Sequence, residues 1–369
     1  MLRPANELTL AEAYIYGDCD IEGDILSCFA LADFLLAPRG ALDRLRLGRL
    51  ILGLPAAKKS TANHGKAAPP GRRHSLKRDA AAISYHYDLS NDFYRLWLDE
   101  QMIYSCAYFL TPDTPLDAAQ DQKLDLICRK LRLKPGERLL DIGCGWGGLI
   151  LHAARNFGVD ALGITLSRRQ AELAEARIQA EGLADRCRVE VRDYREMEGD
   201  AVFHKVASVG MFEHVGEKRL AEYFRSVFRL LRPGGAFLNH GIAWNPQVPY
   251  NVNGPSFIDS YVFPDGELSP ISVTLGVAET NGLEIRDVEN LREHYALTLR
   301  HWVRRLDARH DEVAGLTDEA TYRIWRLYMA GSAHGFASGK MNLFQTLLVK
   351  DDKGESGLPL TRSDWYLPR

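Results

Sequence analysis

The chain has no Cys-x-x-Cys pair. Its six cysteines, at 19, 28, 106, 128, 144 and 187, lack the spacing of a zinc site or a disulfide framework. That argues against a metal centre and for a reducing cytosol. No run of about 18 apolar residues occurs, and no signal-peptide pattern opens the chain. The expectation is a soluble, cytoplasmic protein that meets a membrane, if at all, from outside. Charge of one sign is also missing. The 46 Lys and Arg against 49 Asp and Glu leave a net −3, which carries no nucleic-acid signature. No internal repeat is found.

What is present is length and alternation. The 369 residues can bury a large core and a smaller accessory unit. One local exception to the mixed charge is "AAKKSTANHGKAAPPGRRHSLKR" (56–78), with seven Lys or Arg, no acid and a Pro-Pro-Gly break. It reads as a linker, dividing the chain into a first unit (1–57), a basic linker (58–80) and a large unit (81–369). Just before it, "ALDRLRLGRLILGL" (41–54) mixes leucines with three arginines. That stretch suits a helix of a small domain, or a basic, leucine-rich surface that meets anionic lipid.

After the linker, strand and helix patterns alternate. "ERLLDIGC" (137–144), "DALGITL" (160–166), "CRVEVRDY", "HKVASVGMF" and "AFLNHGI" read as strands. A helix is expected from near Ser167 to Gly182, and another carries Leu220, Tyr223, Phe224, Val227, Phe228 and Leu231 until Pro233-Gly234-Gly235. Aromatic-rich helices at about 293–312 and 317–335 precede a last strand, "MNLFQTLLVK". Such alternation implies a mainly parallel sheet covered on both faces.

"LLDIGCGWGG" (139–148) places Asp141, Gly143, Gly145, Gly147 and Gly148 at a strand-to-helix turn, where open α/β sheets bind nucleosides. A dinucleotide site wants an acid at the end of the next strand, and that strand ends "GITLS" without one. An acid just before the first glycine instead suits a ligand bearing an ammonium. Asp141 as a helix cap is the simpler alternative, but it leaves the glycines without a purpose. The Asp-x-Gly-x-Gly-x-Gly pattern resembles the S-adenosylmethionine loop of class I methyltransferases. Asp193 and Tyr194, after the third strand, either form an ordinary turn or stand beside adenine.

Together, "YHYDLSNDFYRLWLDEQMIYSCAYF" (85–109), "LLDIGCGWGG", "GITLSRRQ" (163–170), "SVGMFEHVG" (208–216) and "LNHGI" (238–242) resemble the cyclopropane fatty-acid synthase family, from about residue 5 to residue 350. The first unit, with "AEAYIYGDCDIEGDI" (11–25), looks like the N-terminal, lipid-associated domain of synthases that act on membrane phospholipids. The resemblance implies a Rossmann-like class I methyltransferase with a seven-stranded, mainly parallel sheet plus that small domain. Its implied substrate is an unsaturated phospholipid acyl chain, met by a cytoplasmic protein bound peripherally at the inner membrane face. A homodimer is compatible with it.

Residue by residue, the resemblance assigns Tyr104, Ser105, Gly143, Gly145, Thr165, Leu166, Ser167, Gln170, Asp193 and Tyr194 to the S-adenosylmethionine site, beside Asp141. It assigns Cys106, Glu213, His240, Ile242 and Tyr295 to a bicarbonate site. Cys106 and Ile242 contribute mainly backbone groups in that assignment. Two positions depart from the family pattern. Ser332, in "YMAGSAHGF", stands where many members carry a cysteine, and Gly241 stands where a threonine or similar residue is expected.

The chemistry rationalises these residue types. An isolated cis alkene is a weak nucleophile, and the sulfonium of S-adenosylmethionine is a strong electrophile. Methyl transfer would leave a cation, which needs water excluded and aromatic faces nearby; Tyr85, Tyr87, Phe212, Tyr261, Phe263 and Trp302 are candidates. Loss of a proton from the new methyl closes the ring. Glu213, read as ending the fourth strand beside His240 and Tyr295, could take that proton or orient a small anion that does. His214 would point the opposite way if the strand persists, and is read as structural. The rivals are a family member that makes methyl- or methylene-branched chains, and a lipid-binding protein without catalysis.

Overall fold

The computed structural model describes residues 7–36, 78–79, 89–248 and 256–366. The basic stretch 41–54, nearly all of the linker, the expected boundaries at 57 and 80, and Tyr85 and Tyr87 lie outside the described residues.

The helices are α1 (Glu7–Ile15), α2 (Ile25–Leu36), α3 (Asn91–Arg95), α4 (Leu116–Lys130), α5 (Gly148–Phe157), α6 (Arg168–Ala180), α7 (Leu220–Leu230), α8 (Phe257–Tyr261), α9 (Ile271–Thr280), α10 (Arg292–Ala308), α11 (His310–Leu316) and α12 (Glu319–Ala337). The strands are β1 (Arg138–Ile142), β2 (Asp160–Thr165), β3 (Cys187–Val191), β4 (Phe203–Val209), β5 (Leu231–Trp244), β6 (Glu284–Asn290) and β7 (Met341–Lys350). They form one seven-stranded sheet in the order β3-β2-β1-β4-β5-β7-β6. Strands β1 to β5 pair in parallel, and β7 runs antiparallel between β5 and β6.

Period-two alternation decides which face each strand residue serves. Leu139, Ala207, Leu238 and Leu347 pack under α4 and α5 with Leu124, Ile127, Leu149 and Ile150. Their neighbours Leu140, Val206, Phe237 and Leu348 pack on the other face against Tyr223, Phe224, Val227 and Leu230 of α7. Both faces are therefore buried, as continuous apolar strands require.

A third apolar cluster joins distant parts of the chain. Tyr14, Ile15 and Ile25 share it with Phe93, Tyr94, Trp97, Trp302, Trp325 and Phe336. Each such side chain contributes about 1.5–3 kcal/mol on burial. Arg326 of α12 fastens the N-terminal helices, donating to the Tyr14 hydroxyl at 2.9 Å and the Gly23 carbonyl at 2.9 Å while pairing with Asp307 at 3.0 Å.

Two readings change. The fourth strand ends at Val209, and Phe212–His214 form a 3-10 turn, so Glu213 sits beyond the strand and not at its end. Strand alternation therefore does not govern His214. Strand β6, "EIRDVEN", has no clean apolar alternation, and its pairing with β7 shifts register between Ile285 and Asp287.

Candidate active site

The C-terminal ends of β1, β2 and β4 open onto a cavity, the usual ligand position in an open parallel sheet. Tyr104, Ser105, Asp141, Gly143, Gly145, Thr165, Leu166, Gln170, Asp193 and Tyr194 all line it. Ser167 does not appear in the lining. Its side chain caps α6, accepting from the Gln170 amide at 3.3 Å.

The loop geometry explains two of the glycines. Gly143 has φ +81°, and a Cβ there would lie 2.7 Å from that of Met211. Gly145 has φ +53°, and a Cβ there would meet nothing within 4 Å. Gly143 thus permits a close contact, whereas Gly145 leaves its backbone open to the cavity.

Asp141 does not cap α5. Its side chain is buried, and Oδ1 has no hydrogen-bond partner. Burial pushes the carboxyl up to about 7, against the pull of Lys123. A cationic group in the cavity would relieve that cost, which fits the ammonium of S-adenosylmethionine. Thr165 donates to Gln170 Oε1 at 2.7 Å, turning the amide nitrogen of Gln170 away from Thr165. Asp193 is occupied: Arg195 holds both of its oxygens, and Arg195 also reaches Asp79 at 3.0 Å.

A second cavity, of about 280 Å³, adjoins the first. Tyr104, Gly210 and His214 line both. The second is mainly apolar, with Trp244, Phe263, Leu299, Tyr328, Phe336 and Met341 in its wall. Glu213, Ile242, Tyr295 and Ser332 also face it. Glu213 Oε1 accepts from the Ile242 amide at 2.7 Å, while Oε2 is buried without a partner. Burial pushes this carboxyl up to about 7.

Cys106 and His240 are absent from the lining of both cavities and fully buried behind it. The Cys106 thiol reaches the Ala107 carbonyl at 3.2 Å, and burial raises its pKa, so it holds its proton. His240 Nδ1 meets Gln345 Nε2 at 3.1 Å, and His240 Nε2 has no partner. Of the aromatic candidates, Phe263 lines the second cavity. Trp302 stands behind Tyr295 at 6.1 Å, and Tyr261 bonds Tyr16 and Glu12. Phe212 packs over Gly241, whose added Cβ would lie 3.0 Å from the ring. That accounts for the glycine.

His214 reads differently in the structure: with the strand ended, it stands at the boundary of the two cavities and faces Phe263. Two buried residues were missed altogether. Lys123 lines the first cavity and donates to Ser105 Oγ at 3.0 Å; burial lowers it to about 8. Lys130 is buried against Glu289 and Gln345. Both lie on the apolar stripe of α4 with Leu116, Ala119 and Ile127, and charge on such a stripe was the available signal.

No described helix is long and apolar enough to cross a membrane, and no metal-binding cluster occurs among the described residues.

The family described as mycolic acid cyclopropane synthetase matches residues 74–346. A "probable fatty acid methyltransferase" of Pseudomonas putida is 44% identical over 360 residues, 97% of this chain and 86% of its own. The cyclopropane-fatty-acyl-phospholipid synthase of Escherichia coli is 38% identical over 288 residues, 78% of this chain and 72% of its own. The solved structure of mycolic acid cyclopropane synthase CmaA1, complexed with SAH and CTAB, aligns with a TM-score of 0.69 at 34% identity, over 73% of this chain and 97% of that one. With its glycine loop, sheet order and paired cavities, this chain belongs to the cyclopropane synthase family of S-adenosylmethionine-dependent methyltransferases.

Proposed function

We propose that the protein transfers a methylene from S-adenosylmethionine to the cis double bond of an unsaturated fatty acyl chain in a membrane phospholipid, making a cyclopropane. The observation that carries this reading is the meeting of a nucleoside-type cavity with an apolar one at Tyr104, Gly210 and His214, with Glu213 in the apolar wall.

The alkene attacks the sulfonium methyl, the C–S bond breaks, and S-adenosylhomocysteine leaves. The neighbouring carbon is left positive. A C–H bond of the new methyl then breaks, its electron pair closes the second C–C bond, and the proton goes to a base. Asp141 holds the amino end of the cofactor, and the glycine loop seats the rest. Tyr328, Phe336 and Phe263 keep water from the cation and offer it ring faces.

A small protonated anion would give a partner to two polar atoms that are buried without one, Glu213 Oε2 and His240 Nε2. Bound bicarbonate would supply the base beside the new methyl. Glu213, ionised, accepts a proton from such an anion; neutral His240 and the Tyr295 hydroxyl donate to it. The test incubates the protein with labelled S-adenosylmethionine and mono-unsaturated phospholipid vesicles, then records proton NMR of the lipid. Label in ring protons far upfield of vinyl protons is expected. Label only in a vinylidene or branched methyl would favour the second reading, a fatty acid methyltransferase, the activity named for the Pseudomonas relative.

A further inference from the structure

Three strands place three polar side chains in one row across the sheet. Glu289 on β6 pairs in register with Gln345 on β7, and Gln345 pairs with His240 on β5. Lys130, from the last turn of α4, joins the row, contacting Glu289 and donating to Gln345 Oε1 at 2.7 Å. Lys130, Gln345 and His240 are all about 1% exposed or less. Burying a lysine, an amide and an imidazole together costs more than an apolar row would.

The donors and acceptors admit one arrangement. A lysine ammonium can only donate, so the oxygen of Gln345 must face it. The Gln345 amide nitrogen then faces His240 Nδ1, at 3.1 Å, and can only donate to it. A neutral imidazole that accepts at Nδ1 carries its proton on Nε2. His240 Nε2 is the ring atom left buried without a partner. Burial, with the charges of Lys123 and Lys130, holds His240 well below its usual range and so neutral. An orphaned buried donor is destabilising unless a ligand takes it up.

We propose that Lys130 and Gln345 are positioning residues that lock His240 as its Nε2–H tautomer, ready to donate to the small anion held with Glu213. The anion part rests on the bicarbonate reading above; the tautomer part does not. The Lys130–Gln345 bond spans 215 residues of chain, so only the folded sheet builds this relay.

Nitrogen-15 NMR of histidine-labelled protein tests it, because protonated and bare ring nitrogens resonate far apart. His240 is assigned by the signals lost in His240→Asn. The native protein is expected to show Nε2–H with or without added bicarbonate; Nδ1–H there overturns the proposal before any variant is made. Gln345→Glu keeps the shape but presents a carboxylate, held ionised by Lys130, with no proton to give. His240 should then flip to Nδ1–H. The bicarbonate concentration for half-maximal activation should rise tenfold or more, the scale of losing an orienting partner, while KM for S-adenosylmethionine holds. An unflipped ring, or a flipped ring in an enzyme that bicarbonate still activates at the native half-maximal concentration, overturns the proposal. If the ring flips but bicarbonate affects neither enzyme, the tautomer relay stands and the bicarbonate reading falls.

Discussion

Replacing Glu213 with Gln keeps the volume and the hydrogen bond from the Ile242 amide, since the amide oxygen can still accept. It removes the ability to take a proton from a bound anion. Turnover should fall on the order of a hundredfold or more, the scale of positioned acid–base catalysis. The structure adds a second readout of opposite sign. Burial lifts this carboxyl from its usual 4.5 to about 7, a penalty of roughly 3 kcal/mol once it is ionised. The group is neutral in both states below about 4.5, and ionised in both above about 7. Native stability attached to it is therefore present at low pH and lost as pH rises between those values. Glu213→Gln should melt close to the native protein at pH 4.5 and higher than it at pH 8. The same carboxyl should make native turnover rise with pH through about 7, as its ionised form becomes dominant. By-products of a trapped cation, such as methylated alcohols or alkenes, should increase relative to cyclopropane, because methyl transfer does not need the base. Product ratios by mass spectrometry, melting at both pH values and the pH–rate profile check each part. Cyclopropane formed at the native rate would refute the role of Glu213, and a uniform fall of every product would make it merely structural.

Gly145→Asp sends a charged side chain into open cavity at φ +53°, so folding should persist while calorimetry finds no S-adenosylmethionine binding; undiminished affinity would remove the loop assignment. Gly241→Thr would push against Phe212, with its Cβ 3.0 Å from the ring, and should cost about 1–3 kcal/mol in denaturant melts. Replacing Lys58, Lys59, Arg72 and Arg73 with Gln should weaken binding to anionic vesicles, by roughly 1 kcal/mol per charge near the surface and most at low salt. Equal binding of the native protein to neutral and anionic vesicles would end that role for the linker.

The sequence alone determined the scaffold and the family. An apolar run ended by glycines marks β1, the run "ALGITL" marks β2, "LLDIGCGWGG" marks the cofactor turn, and the spacing on α7 marks its buried face, because these features depend on neighbours a few residues away. It also singled out Glu213 as a candidate. Contacts between distant segments decided the rest. Strand β5 runs on to Trp244, but β4 leaves it after Val209, at Gly210 with φ +70°, and that departure brings His214 to the cavities. The exception is Ser167, whose capping bond from the Gln170 amide is local in sequence. Lys123, Lys130 and Gln345 look like surface residues in the sequence; α4 and β7 bury them beside Ser105 and His240. Burial and partner choice are properties of the assembled sheet. They raise Asp141 and Glu213, keep His240 neutral, and leave its Nε2 without a partner behind the cavity wall.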